Sequence, residues 1–136
     1  MIEGLSIVHG VPLDCEPGQG AHSIPGYLEE VCTRYAEADA IIMHGAAGRV
    51  CWSYAELNRQ SILVARSLIA GGFPKDARVG VLMANRPEYL SALFGTAMAG
   101  CVTVALSTFS TGDELAHLLA VSQLDLLLFD GRVLKQ

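Results

Sequence analysis

ARVGVLMANRPEYLSALFGTAMAGCVTVAL, residues 77–106, reads as a complete strand, helix, strand unit of a parallel sheet. Its first run, residues 79–84, is short, apolar and closed by Asn85-Arg86-Pro87, as expected of a strand buried on both faces. A helix is expected to start there. Asn85 is placed to cap it, Glu88 to answer from the third helical position, and Pro87 falls in the first turn, where a missing amide hydrogen carries no penalty. Gly100 ends the helix. Residues 101–106 alternate small and β-branched side chains, and a parallel return needs a crossover of about this length, normally right-handed.

On the carboxyl side, residues 107–110 form a loop, and Thr111-Gly112-Asp113-Glu114 is a capping pattern that starts a helix through Leu115, Leu118, Leu119 and Val121. Residues 125–129 make a third buried strand, ended by Asp130-Gly131, and residues 132–136 read as the opening of an element that is not finished. On the amino side, Phe73-Pro74-Lys75-Asp76 turns into the unit from a long helix. That helix opens at Ser53-Tyr54-Ala55-Glu56, a reciprocal capping box, and runs to Ala70. It packs Leu57, Val64, Ala65 and Leu68, exposes Arg59, Gln60 and Arg66, and stops at Gly71-Gly72, where a left-handed residue is readily adopted. Before it, residues 40–44 and 49–52 flank Gly45-Ala46-Ala47-Gly48 as a hairpin, with His44 a solvated side chain at the turn. A first helix runs from Ser23 to about Ala36, with Tyr27 or Leu28, Val31 and Tyr35 on its packed face. Residues 1–26 hold three prolines and five glycines and are expected to form an extended arm. Gly18-Gln19-Gly20 lacks the third glycine and the preceding strand of a dinucleotide fingerprint, so turn chemistry explains it better.

The 136 residues suit one α/β domain or part of one, here an arm (1–26) and an α/β subdomain (27–136). With 9 basic and 14 acidic residues the net charge is −5, and no cluster of Lys and Arg invites nucleic acid or an anionic membrane surface. The four cysteines are widely spaced, as in reduced, packed thiols of a cytoplasmic protein, and four scattered histidines offer no metal-ligand spacing. No Lys or Arg precedes Arg34, and no continuous apolar run follows Met1, so a secretory signal is not expected. Residues 89–112 carry no formal charge over a membrane-spanning length, but three glycines, patches of Ser and Thr, and a change to β-branched alternation after Gly100 favour a soluble helix and strand.

These residues also carry a resemblance. Trp52-Ser53-Tyr54-Ala55-Glu56-Leu57-Asn58 resembles the aromatic, Ser/Thr, Tyr, x, Glu, Leu signature near the start of AMP-forming acyl-CoA synthetases and their adenylate-forming relatives. In the same order, residues 79–88 resemble the family's strand ending in an Asn, x, Pro, Glu helix start. Residues 99–106 resemble its Ala-Gly-x-Val-x-x-Pro-Leu strand, and residues 110–115 its Thr-Pro-Glu-Glu-Leu helix start. Gly18-x-Gly20-Ala21 and Ile24-Pro25-Gly26-Tyr27-Leu28 look most like the fatty-acyl synthetases of that group. Ala105 stands where Pro is common, and Ser107-Thr108 replaces a frequent Asn-Pro, so the loop after the strand is expected to differ in shape.

The resemblance covers about residues 24–131. It implies the N-terminal scaffold piece of an ATP-dependent fatty-acyl-CoA synthetase, which adenylates a carboxylate with ATP and Mg²⁺ and then transfers the acyl group to CoA. The family's phosphate loop, its ATP-contacting motifs and the lysine of its mobile C-terminal domain have no counterpart in these residues. The piece is therefore expected to be inactive alone, to hold no cofactor or metal and no catalytic residue, and to work with the rest of the synthetase chain. What the resemblance does imply is contact with CoA. The loop after the Ala-Gly-x-Val strand nears the pantetheine in acetyl-CoA synthetase relatives, which points to Ser107, Thr108 and Phe109. A basic residue after the next strand meets a CoA phosphate, which points to Arg132 or Lys135. Turn, cap and solvated-cation roles are the plainer reading of the same residues. A free-standing α/β interaction or regulatory module derived from such an enzyme is the alternative, and a flavodoxin-like small-ligand domain a third. At 51% apolar residues the chain has apolar surface to spare, so a homodimer or strand exchange is expected.

Overall fold

The computed structural model describes residues 23–45 and 48–132. Residues 1–22 of the expected arm (1–26), the two residues at the hairpin tip and Lys135 lie outside the described residues.

Helix α1 (Ile24–Arg34) begins on Ser23, whose hydroxyl accepts from the Gly26 amide at 3.2 Å, with Pro25 in the first turn. Leu28 and Cys32, four residues apart, form its buried face. Tyr35 was expected on that face but is half exposed, because the helix has already ended at Arg34 and Tyr35 has left helical geometry. Strands β1 (Asp39–Gly45) and β2 (Gly48–Ser53) pair antiparallel, with Ile42 opposite Cys51 and Gly45 opposite Gly48. The hairpin is thus as the sequence indicates.

Helix α2 (Tyr54–Ala70) is capped by Ser53, which accepts from the Glu56 amide at 3.2 Å. The reciprocal half of the expected box is missing. The Glu56 carboxylate instead takes two hydrogen bonds from Arg59 and one from Gln60, which hold its pKa down at about 2. At the other end Gly72, not Gly71, takes the left-handed conformation, with φ 77°. The Gly72 and Phe73 amides then bond to the Ile69 and Leu68 carbonyls, a Schellman closure that seats Phe73 beside Leu68 in the core.

Strands β3 (Arg78–Leu82), β4 (Val102–Ala105) and β5 (Leu126–Phe129) make a parallel sheet in the order β4-β3-β5. Central β3 is buried from Val79 to Leu82, which is why its sequence is apolar on both faces. Helix α3 (Pro87–Met98) joins β3 to β4 and ends in a second Schellman closure, Gly100 at φ 73° and the Cys101 amide on the Thr96 carbonyl. Helix α4 (Gly112–Ser122) joins β4 to β5. The uncharged run over residues 89–112 is therefore divided among α3, β4 and a loop, and no described helix is long and apolar enough to cross a membrane.

Helices α2 and α3 form a middle layer. On one side, Leu28, Cys32 and Leu57 pack with Ile41, Trp52, Leu90, Phe94 and Met98, which joins α1 and the hairpin to that layer. On the other, Leu68, Ala77, Val79 and Cys101 pack with Val64, Phe73, Leu126 and Leu128, which joins it to the sheet. The two helices approach closely because Gly95 faces Val64 and the Ser61 carbonyl, and Ser61 is fully buried with its hydroxyl on the Leu57 carbonyl.

Candidate functional site at the carboxyl edge of the sheet

Because all three strands run the same way, the segments that follow them leave from one edge. β3 runs into Arg86 and the start of α3, β4 into Ser107, Thr108 and Phe109, and β5 into Asp130 and Arg132. Backbone bonds fix the ends in register, the Leu106 amide on the Val81 carbonyl and the Asp130 amide on the Leu82 carbonyl. From β4 the chain must cross to the far flank of β3. With right-handed crossovers α3 and α4 then lie on opposite faces and the strand order reverses at β3, and open α/β sheets take ligands outside the carboxyl ends of the strands at such a reversal.

The Asn85 cap expected there is not made. Pro87 opens α3, and the clash of its ring with the preceding residue forces Arg86 into extended geometry, φ −157° and ψ 158°, so Arg86 is the N-cap residue and no side chain caps the helix. Glu88 answers Arg86 through the side chain instead, receiving Nε at 2.7 Å and Nη2 at 2.8 Å. The remaining nitrogen, Nη1, reaches Asp130 at 2.9 Å, and the Asp130 side chain is only 5% exposed. Asp130 also receives the Arg132 amide at 3.0 Å and the Arg132 guanidinium through Nε and Nη2. The hydrogen bonds from Arg132 and then from Arg86 hold the Asp130 carboxyl far below the usual carboxylate range, and Glu88 followed by Asp130 pushes Arg86 up. Two guanidinium and two carboxylate groups alternate across the end of the sheet, neutral in sum.

The loop after β4 is built differently. Ser107 Oγ accepts from the Phe109 amide at 3.2 Å, the turn role anticipated for it, and Phe109 is 96% exposed. Thr108 is half-buried. Ser107, Phe109 and Ser110 line an open, mostly apolar cleft of about 660 Å³ with Asp113, Glu114 and His117 from the first turns of α4. The Glu114 carboxylate is engaged by the Thr111 amide at 2.8 Å, which holds its pKa down. Among the described residues no serine, threonine or cysteine side chain hydrogen-bonds to a histidine, the pairing by which such nucleophiles are commonly activated. No group of three or more His, Cys, Asp or Glu side chains converges among the described residues.

Of the residues indicated by the sequence, Ser107 and Phe109 share the cleft. Arg132 stands apart, two strands away and roughly 10 Å along the edge by strand spacing. Arg86 and Asp130, which join the β3 and β5 ends, were not singled out. Arg86-x-Glu88 is a local signal, but a partner 44 positions away is visible only once β3 and β5 are neighbours.

A family profile described as AMP-binding enzyme matches residues 28–136. The chain belongs to the AMP-binding enzyme family. Acyl-CoA ligase SID4 of Ajellomyces capsulatus is 31% identical over 129 residues, covering 95% of this chain and 21% of that protein. Long-chain fatty acid transport protein 1 of Bos taurus is 31% identical over 131 residues, covering 96% of this chain and 20% of its own length. The chain thus spans about a fifth of these curated relatives. Among solved structures, the N-terminal domain of FACL13 from Mycobacterium tuberculosis matches with a TM-score of 0.73 at 25% identity, over 83% of this chain and 29% of that one. The Klebsiella oxytoca NpsA N-terminal subdomain matches at 0.72 and 20% identity, over 80% of this chain and 28% of that one, a likeness of fold. This member of the AMP-binding enzyme family therefore has the α/β architecture of the N-terminal part of adenylate-forming acyl-CoA ligases.

Proposed function

We propose that the chain is the N-terminal scaffold piece of an ATP-dependent fatty-acyl-CoA synthetase and is not catalytically competent by itself. The complete enzyme joins a fatty acid to ATP as an acyl adenylate with release of pyrophosphate, and the CoA thiol then displaces AMP. In this reading the piece belongs to the second half reaction. Ser107, Thr108 and Phe109 border the pantetheine arm, and Arg132 offers N–H donors to a CoA phosphate. Adenylation is carried by residues outside this chain. The observation that supports the reading is the single carboxyl edge, to which the parallel topology brings both the β4 loop and Arg132.

The test is ATP–pyrophosphate exchange with fatty acids of several lengths. The 136-residue chain should show none, and the longer chain that includes these residues should exchange in a fatty-acid-dependent way. Exchange by the 136-residue chain would overturn the scaffold role. A gene that encodes no more than these residues would favour an interaction module derived from such an enzyme.

A further inference from the structure

The cluster at the end of β5 has an order that its bonds reveal. Asp130 is fixed from within, its amide on the Leu82 carbonyl at 3.1 Å and its side chain almost wholly buried. Arg132 is the reverse, with a side chain 72% exposed and two nitrogens, Nε and Nη2, bound to Asp130. Its third nitrogen, Nη1, makes no hydrogen bond among the described residues. On the other side of Asp130, Arg86 has Nε and Nη2 on Glu88 and Nη1 on Asp130, so all three of its nitrogens are bound. An exposed arginine on a strand-end loop would ordinarily sample many rotamers. This one is held by a buried carboxylate, and one edge of its fork has no partner among the described residues.

We propose that Asp130 is a positioning residue, which holds the Arg132 guanidinium in a fixed fork so that its Nη1 edge is preset for a phosphate oxygen of CoA. The proposal rests on the reading of Arg132 as a CoA contact given above. The cluster is neutral in sum, so long-range attraction of an anion is not its contribution. Its contribution is a directed donor whose rotamer freedom is already lost before the ligand arrives, the form of preorganisation that raises affinity. A lysine at the same place keeps the charge but not the fork.

The test measures kcat and KM for CoA, and for pantetheine, a thiol without the phosphates, in the full-length synthetase and its variants. Asp130→Asn should raise KM for CoA about tenfold, the scale of one charge-assisted hydrogen bond, with kcat and pantetheine kinetics unchanged. Arg132→Lys should do the same although it keeps the charge, and Asp130→Glu should recover part of the loss. If Arg132→Ala raises KM for CoA while Asp130→Asn leaves it within about twofold, Arg132 acts without Asp130 and the proposal fails with the parent reading intact. If Arg132→Ala has no effect, the CoA role of Arg132 falls and takes the proposal with it. Equal losses with pantetheine would assign Asp130 a merely structural role and also overturn it. Should Asp130→Asn not fold, the exposed Arg132→Lys decides, and wild-type KM in that variant would sink the proposal.

Discussion

Gly95 and Gly80 are both glycines in buried elements, yet a methyl group at the two positions meets different neighbours. At Gly95 a Cβ would stand 2.5 Å from Val64 Cβ and 2.6 Å from the Ser61 carbonyl oxygen, both part of the stiff body of α2. At Gly80 it would meet the ends of Leu124 and Leu127, flexible tips that can turn aside. Overpacking of a tight core contact costs about 1–3 kcal/mol, whereas alanine in a helix gains about 1 kcal/mol over glycine. With contacts of 2.5 and 2.6 Å at the upper end of that overpacking range, Gly95→Ala is expected to lose about 1–2 kcal/mol net in urea unfolding, and Gly80→Ala distinctly less. Equal losses in the two variants would mean that the α2–α3 approach is not set by Gly95. Neither contact is legible in the sequence. A lone glycine in a helical pattern reads as a defect until the partner helix is seen, and Ser61 reads as polar until its hydroxyl is found on the Leu57 carbonyl.

At the scale of elements the chain was legible where a local pattern determines a local bond. The hairpin, the three parallel strands and the starts of α1, α2 and α4 lie at or within a few residues of their expected places, because periodicity and cap chemistry act over three or four residues. It was less so where two local rules compete. At Asn85-Arg86-Pro87 the restriction before proline moves the cap by one residue, and Glu88 takes the nearby guanidinium in place of an amide. At Ser53 the box is half made because Arg59 and Gln60 draw Glu56 away. Only Thr111 completes it, with Glu114 on the Thr111 amide and the Glu114 amide on Thr111 Oγ1. That box matters more than the others, because α4 has no fully buried residue to hold it by packing. Removing the cap typically costs about 1 kcal/mol. Thr111→Ala should therefore speed hydrogen exchange through the first turns of α4 about fivefold while α2 and α3 keep their protection. Unchanged exchange in α4 would show that packing, not the cap, anchors the helix.

At the scale of the whole molecule, both edges of the parallel sheet are open among the described residues. Among the described residues β4 and β5 pair only with β3, so each presents a row of free backbone donors and acceptors. The β5 edge, Leu126–Phe129, has no charge, no proline and no bulge, the devices by which natural edges resist pairing. Beside it lies an apolar groove of about 270 Å³ between α2 and β5, lined in part by Leu63, Phe73, Leu126 and Leu128. Phe129 is 43% exposed and Leu63 44%. A second copy of the chain can supply a strand to such an edge. The isolated chain is accordingly expected to dimerise through β5, with light scattering reporting twice the monomer mass as concentration rises. A lysine placed on the edge by Phe129→Lys should return it to monomer without loss of helical circular dichroism. A wild-type chain that stays monomeric over the whole concentration range would show that the edge is already protected, and a dimer untouched by Phe129→Lys would place the contact elsewhere.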